Sequence, residues 1–348
     1  MPRSLQNLYF ELTGACNLLC RHCYVFDDDS RRARPDLLTA DDVERAVEAA
    51  VPLGLKMCTF TGGEILVRKD LVEILERTAR HIGRIFLLTN LTLLTDEHVN
   101  AFSRLPIALV STSIDGFATT HDRFRGMDGA YQRTMDALER LRAAGIPVKV
   151  SVTVTPENHA EATEIFAELD AAGIPSSIAR VAAVGRGLKS DEATQANIGF
   201  DRAYDRLLAE RLGTSLTRSQ VLGLSAPGDD RPTHCGVGAS ILYILSDGQV
   251  GLCPTMTPAT DARWQLGNVR EQGLAEIWQD GAIFGPRDLQ CSNVARCEYG
   301  DACRGGCRAN AFIRTGDATA CDEEMRHGFD ELVQITRRRR EALTYEVV

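Results

Sequence analysis

Between about residue 8 and residue 181 the chain alternates short apolar runs with longer amphipathic ones, and that alternation leaves few folds open. Leu8–Thr13, Lys56–Thr61, Arg84–Thr89, Ala108–Ile114, Val148–Thr155 and Ser177–Val181 read as strands. Ala40–Ala50, Leu71–His81, Asp96–Arg104, Tyr131–Ala144 and Ala160–Ala172 carry apolar residues at helical spacing. Strand–helix repetition of this kind predicts an α/β fold built on a parallel sheet with helical crossovers. Gly145 and Gly173 each follow a helical run, the usual place for a C-terminal glycine, and Pro147 and Pro175 open the next strands. Six strands are too few for a closed eight-stranded barrel, so an open or partial barrel is expected, with its functional loops at the C-terminal strand ends.

Beyond residue 184 the pattern changes. Residues 185–232 read as a linker with one amphipathic helix around Asp201–Leu212. Leu242–Leu252 has a hairpin signature that turns on Ser246-Asp247-Gly248. Periodicity then weakens until a final helical pattern near Glu324–Leu343. Where apolar periodicity fades and cysteines accumulate, metal is the expected organiser in place of a large apolar core. The expected organisation is therefore residues 1–184 as the strand–helix domain, 185–232 as the linker, and 233–348 as a small cysteine-rich domain with a C-terminal helix.

The net charge of −9 argues against a nucleic-acid backbone as partner. Arg337 to Arg340 is the one basic block, and it reads as the solvated face of the terminal helix. No apolar stretch reaches the roughly 18 to 20 residues of a membrane helix, and Met1 to Phe10 lacks the basic start and apolar core of a signal peptide. A cytoplasmic protein without a membrane partner is expected. In that compartment disulfides are disfavoured, so the 11 cysteines call for metal or catalytic use. Cys16, Cys20 and Cys23 cluster near the start, while Cys235, Cys253, Cys291, Cys297, Cys303, Cys307 and Cys321 lie in the last third. Only Cys58 falls between, inside an apolar strand, where it reads as a small buried hydrophobe.

Cys16-Asn-Leu-Leu-Cys20-Arg-His-Cys23 follows directly after the first strand. Iron–sulfur clusters normally take four thiolates, so three close cysteines would leave one iron open to another ligand. Positions 16, 20 and 23 would also share one face of a helix, though Gly14 disfavours a helix starting earlier. In this spacing and place the sequence resembles the radical S-adenosylmethionine (SAM) superfamily. Thr61-Gly62-Gly63-Glu64 ends the second strand where that family has its Gly-Gly-Glu motif, with Ile65 where a proline is frequent. Thr89-Asn90 ends the third strand. Ser111-Thr112-Ser113-Ile114-Asp115-Gly116 ends the fourth and runs on to His121-Asp122-Arg123-Phe124-Arg125-Gly126, a stretch similar to that of peptide-modifying members.

The resemblance implies that Gly62, Gly63 and Glu64 hold the amino group of SAM's methionine part, a carboxylate facing an ammonium. Asn90, at a strand end that looks the same in many members, is a further candidate to contact SAM. Ser113 and Asp115 become candidates to contact the ribose or the substrate. Ser151 and Arg180 are further candidates, and for Arg180 a sheet-end salt bridge is an equal alternative. His22 stands where an aromatic residue usually packs beside the adenine.

The last seven cysteines resemble the SPASM extension of these enzymes: Cys235, then Gly248 with Cys253 five residues on, then Cys291, Cys297, Cys303 and Cys307, then Cys321. Arg304-Gly305-Gly306-Cys307-Arg308-Ala309 and Gly273-Leu274-Ala275-Glu276-Ile277-Trp278 also match, whereas the five residues between Cys291 and Cys297 exceed the usual two. The family's crossed arrangement implies that Cys235, Cys253 and Cys307 hold a nearer auxiliary cluster, with His234, water or substrate among the possible fourth ligands. Cys291, Cys297, Cys303 and Cys321 would hold a distal one. Zinc on the same cysteines is the alternative.

The resemblance thus implies a partial (β/α)6 barrel followed by a small cysteine-rich SPASM domain, with SAM and three 4Fe–4S clusters as cofactors. The implied chemistry is reductive cleavage of SAM to a 5′-deoxyadenosyl radical that takes a hydrogen atom from the substrate. The leading expectation is oxidation or crosslinking of a peptide in natural-product maturation. The runner-up is dehydrogenation or epimerisation of a small molecule such as an aminocyclitol or sugar, and a non-catalytic iron–sulfur electron carrier is the third. Flavodoxin or ferredoxin is the expected electron donor, and a separate protein could bind a leader peptide.

Overall fold

The computed structural model describes residues 4–27, 33–179, 181–187, 237–238, 240–257, 261–280, 291–298, 300, 305–323 and 326. Arg180, His234, Cys235, Cys303, the expected helix at 201–212, nearly all of the one at 324–343, and Arg337–Arg340 lie outside the described residues. By compactness the chain divides into one unit of Met1–Asp191 with Val237–Pro286 and a second of Glu192–Gly236 with Arg287–Val348.

The first unit is built on strands β1 (Asn7–Glu11), β2 (Met57–Thr61), β3 (Ile85–Leu88), β4 (Ile107–Ser113), β5 (Val148–Thr153) and β6 (Ser176–Ala179). These lie side by side in chain order and pair in parallel throughout. Successive right-handed crossovers that always step the same way put their helices on one face, leaving the other face concave. The crossover elements are α1 (Ala40–Ala50), α2 (Leu71–Ala79), α3 (Asp96–Phe102), α4 (Ala118–Arg125), α5 (Ala130–Ala143) and α6 (His159–Ala171). In β5, Val148, Val150 and Val152 are buried while Lys149, Ser151 and Thr153 are half-buried on the opposite face, the period of two that a pleated strand dictates.

The helices follow their sequences closely. Thr39 caps α1 in a reciprocal capping box with Asp42, and Val43, Ala46, Val47 and Ala50 form the stripe it buries. Helix α4 departs from the expected pattern. Its sequence is too polar to show a helical stripe, and it buries only Thr120, His121, Phe124 and Arg125 before Gly126 ends it at φ +65°.

Strands β7 (Ile241–Ile244) and β8 (Gln249–Gly251) form the expected hairpin, with Gly248 at φ +90° in its turn. A two-residue strand β9 (Gly267–Asn268) adds to β8. β7 pairs in parallel with β1, so the six expected strands extend to nine. Periodicity marks a strand but not its partner, and β1 would otherwise present an unpaired edge. A short helix, α7 (Leu274–Gln279), covers the motif around Trp278. The second unit contributes α8 (Arg308–Thr315) among its described residues. No helix among the described residues is long and apolar enough to cross a membrane.

Candidate active site

Cys16, Cys20 and Cys23 lie in an extended loop immediately after β1, not on a helix. The loop is held on several sides by backbone hydrogen bonds. Leu19 N–H donates to Arg125 O at 3.0 Å and Arg21 N–H to Phe124 O at 2.9 Å, tying it to the end of α4. Gly187 N–H donates to Cys23 O at 3.1 Å, and the buried Arg186 Nε donates to Cys20 O at 2.9 Å. Gly185, at φ +60°, lets that segment approach: a Cβ there would meet Cys23 O at 2.8 Å and Phe26 O at 2.7 Å. The thiols are close enough to repel one another's charge. Burial, countered by a hydrogen bond from Leu18 N–H and reinforced by Cys20, Glu64 and Cys23, pushes the Cys16 thiol up to about 12. Burial likewise raises Cys20, against the pull of the Arg125 guanidinium. Binding a metal would release these protons.

The Gly-Gly-Glu segment leans directly on this loop. Gly63 N–H donates to Thr13 O at 2.8 Å and Glu64 N–H to Ala15 O at 2.8 Å. A Cβ on Gly63 would stand 2.3 Å from Ala15 O and 3.0 Å from Cys16 Cβ, so only glycine permits the contact. Glu64 is almost fully buried. It accepts from Leu66 N–H at 2.9 Å, Thr89 Oγ1 at 2.5 Å and Asn90 N–H at 2.6 Å. Burial raises its pKa, and these three bonds oppose the rise. Asn90 Nδ2 donates to Asn17 Oδ1 at 3.0 Å, and Asn17 Nδ2 donates to Thr92 Oγ1 at 2.8 Å. One polar clamp therefore joins the ends of β1, β2 and β3.

Asp115, after β4, is enclosed. Its Oδ1 accepts from Thr153 N–H at 3.2 Å, its own N–H donates to His121 Nδ1 at 3.1 Å, and Asn158 Nδ2 donates to its carbonyl at 2.6 Å. Arg125 Nη2 forms an ion pair with its Oδ2 at 2.6 Å, while Arg125 Nη1 reaches Cys20 Sγ at 3.7 Å. Against the cost of burial, the Arg125 guanidinium leads the charges that keep the Asp115 carboxyl below its usual range. Burial depresses His22 and His121 to about 4 each, so both rings are neutral at pH 7. The His22 ring lies 5.8 Å from that of Phe124. The structure thus brings His22, Asp115, Cys20 and Arg125 together. Arg125 and His121 were not singled out from the sequence, although the His121–Gly126 stretch contained both. Ser113 and Ser151 are half-buried register partners on the concave face.

Cys58 is fully buried in β2, and burial raises its pKa. Cys253 follows β8, with Sγ 3.4 Å from Thr255 Oγ1. In the second unit the Gly305-Gly306 turn lies against Cys291 and Asp322. A Cβ on Gly305, at φ +96°, would meet Cys291 Cβ at 3.2 Å, and one on Gly306 would meet Asp322, the neighbour of Cys321, at 2.8 Å. Asp322 Oδ2 accepts from Cys307 N–H at 2.8 Å, and Cys307 caps α8 through a bond from Asn310 N–H to Sγ. Cys297 follows a 3-10 turn at Val294–Arg296, with its N–H on Asn293 O at 3.0 Å.

The loop after β1 fits an iron–sulfur cluster with a companion ligand that offers hydrogen-bonding groups. Beside its thiols, Arg125 Nε and Nη2 and His22 Nδ1 are buried without a hydrogen-bond partner, the ion pair of Arg125 being close but not aligned as a hydrogen bond. The orphaned guanidinium donors suit acceptor atoms brought by a ligand, while Nδ1 of the neutral His22 ring donates or accepts according to its tautomer. Among the described residues no three His, Cys, Asp or Glu side chains converge as tightly as a single ion needs. Zinc, with sulfur at about 2.3 Å, requires such convergence, whereas a cluster spreads its thiolates over several irons.

A partial parallel barrel with a three-cysteine loop braced by a Gly-Gly-Glu loop is the architecture of a radical SAM enzyme. The sequence profile of the radical SAM superfamily matches residues 10–169, and that of the SPASM iron–sulfur cluster-binding domain matches residues 235–308. The AdoMet-dependent heme synthase of Methanosarcina barkeri is 31% identical over 343 residues, covering 91% of this chain and 95% of that relative. Mycofactocin maturase MftC of Mycolicibacterium smegmatis is 31% identical over 316 residues, covering 88% and 79%. The crystal structure of Streptococcus suis SuiB bound to S-adenosylmethionine superposes with a TM-score of 0.70 at 19% identity, over 92% of this chain and 76% of that one. The chain belongs to the radical SAM superfamily and carries its SPASM extension.

Proposed function

We propose that this enzyme oxidises a peptide: for each SAM consumed, one hydrogen atom would pass to 5′-deoxyadenosine and a second would leave as a proton, with its electron accepted by an auxiliary cluster. The observation that carries the SAM-cleaving part is the direct backbone bonding between the cysteine loop and Gly63-Glu64, which sets an expected cluster site beside an expected SAM site. When bound, the reduced cluster and SAM supply a 5′-deoxyadenosyl radical, the species able to take hydrogen from an unactivated carbon.

The chain's own part is to bind and orient. Cys16, Cys20 and Cys23 would hold the cluster, and Arg125 would donate a hydrogen bond to the Cys20 sulfur, which tunes such centres. Glu64 would face the ammonium of SAM, His22 the adenine, and Ser113 and Ser151 the ribose or substrate. Asn90 and Asp115 would position these loops through the bonds described above.

Cys253, Cys307 and Cys235 would serve one auxiliary cluster, and Cys291, Cys297, Cys321 and Cys303 the other. Three 4Fe–4S clusters correspond to about 12 irons per chain, and about four would remove the auxiliary pair. Flavodoxin or ferredoxin as reductant, a separate leader-peptide-binding protein and a cytoplasmic setting suit this reading.

A peptide substrate is supported by the PqqA peptide cyclase of Gluconobacter oxydans, 30% identical over 335 residues. The heme synthase relative favours a second reading, oxidation of a tetrapyrrole, as the small-molecule alternative. The test incubates reduced, cluster-loaded enzyme and SAM with any short peptide encoded beside its gene and, in parallel, with an iron porphyrin. A peptide lighter by two hydrogen atoms is the expected result. Consumption of the porphyrin alone overturns the peptide reading in favour of the second.

A further inference from the structure

On the concave face of the sheet, β4 to β6 carry small polar groups. Glu11 pairs in register with Thr61, and Ser111 with Leu88 on one side and Lys149 on the other. One layer nearer the C-terminal strand ends, Ser113, Ser151 and Ser177 form a row of hydroxyls. Among the described strand residues, Lys149 is the one basic side chain on this face. Its neighbours Val148 and Val150 are buried under the crossover helices, which fixes Lys149 to the other side. It has no hydrogen bond or ion pair among the described residues. Glu11, the acid of the same face, is paired with Arg34. Lys149 lies two residues before Ser151, about 6.6 Å along the strand. It therefore stands one layer below the Ser113–Ser151 row, on the face where the proposed SAM site begins.

A half-buried ammonium without a counter-ion is not a stabilising feature of a folded chain. Of the 39 lysines and arginines in the full sequence 35 are arginine, and a lysine here presents a compact charge in place of a planar fork. We infer that Lys149 receives a carboxylate of the substrate and so orients an organic acid on the concave face beneath SAM. This rests on the SAM-cleaving reading above and narrows its substrate to molecules bearing a free carboxylate, whether a peptide or a smaller acid.

The chain has only four lysines, and Lys56 and Lys69 are exposed on the same unit. Reductive methylation of the SAM-loaded holoenzyme, read by mass spectrometry, therefore resolves Lys149 with internal controls. The probes are 3-phenylpropionate against its amide, and a short peptide with a free C-terminus against its C-terminal amide. At about four times its dissociation constant an acid probe is expected to slow methylation of Lys149 about fivefold, leaving Lys56 and Lys69 unchanged, and the amides are expected to do nothing. Protection by the small acid or by the peptide acid alone assigns the source of the carboxylate. Equal behaviour of acid and amide, or a Lys149 that none of the acids protects, overturns the inference. Protection of Lys149 in a wild-type enzyme that forms no 5′-deoxyadenosine would instead sink the SAM-cleaving reading and leave the acid site standing.

Discussion

Exchange of Arg125 for methionine is expected to cost the first unit about 3–5 kcal/mol of stability, because it strands the Asp115 carboxylate in the interior without its counter-charge. Asp115 would keep only the Thr153 N–H and a neutral His22, whose Nε2 lies 3.8 Å away. Urea unfolding of the cluster-free protein measures the loss. A double variant with Asp115→Asn is expected to recover a large part of it, since the uncompensated charge is then gone. A loss under about 1 kcal/mol would mean that the pair is solvated and carries no such load. In the cluster-loaded protein the same exchange removes the bond to Cys20 Sγ, and the cluster's reduction potential is expected to fall.

The second large effect concerns Glu64. A carboxylate offers about four lone-pair sites, and Leu66, Thr89 and Asn90 occupy three of them. One remains for an ammonium. Glu64→Gln keeps the shape but replaces one acceptor oxygen with a donor. Whichever way the amide turns, either Leu66 N–H or Asn90 N–H loses its partner. Losing a charged hydrogen bond of about 1.5–3 kcal/mol weakens SAM binding about 10- to 150-fold. Isothermal titration of SAM into the cluster-loaded variant checks this. Unchanged affinity would place SAM's amino group elsewhere.

Much of the framework was legible in the sequence because it is periodic or local. The alternation of β5 is visible in Val148-Lys149-Val150-Ser151-Val152 itself, and helix α1 announces its start through Thr39 and Asp42. The cysteine loop and the Gly-Gly-Glu loop are readable for the same reason. What escaped depends on contacts that no window contains. Helix α4 forms without an apolar stripe, since it is anchored by Phe124 and by the buried Arg125 whose partners lie just after β4 and in the cysteine loop. The addition of β7 to β1 joins residues more than 230 positions apart, with Ser246 Oγ 3.4 Å from Glu11 Oε1. Asp115 was singled out from its motif as a ligand contact. Its burial in a web of Arg125, Thr153, His121 and Asn158 is a three-dimensional fact that the motif does not carry.

The most direct test of the whole account is anaerobic incubation of the reconstituted, dithionite-reduced protein with SAM. Wild type is compared with a variant in which Cys16, Cys20 and Cys23 are all alanine, and 5′-deoxyadenosine and iron are measured. Wild type is expected to form 5′-deoxyadenosine and methionine in equal amounts. The variant is expected to form neither and to hold about four fewer irons per chain. A variant that still cleaves SAM, or an iron-replete wild type that never does, would contradict it.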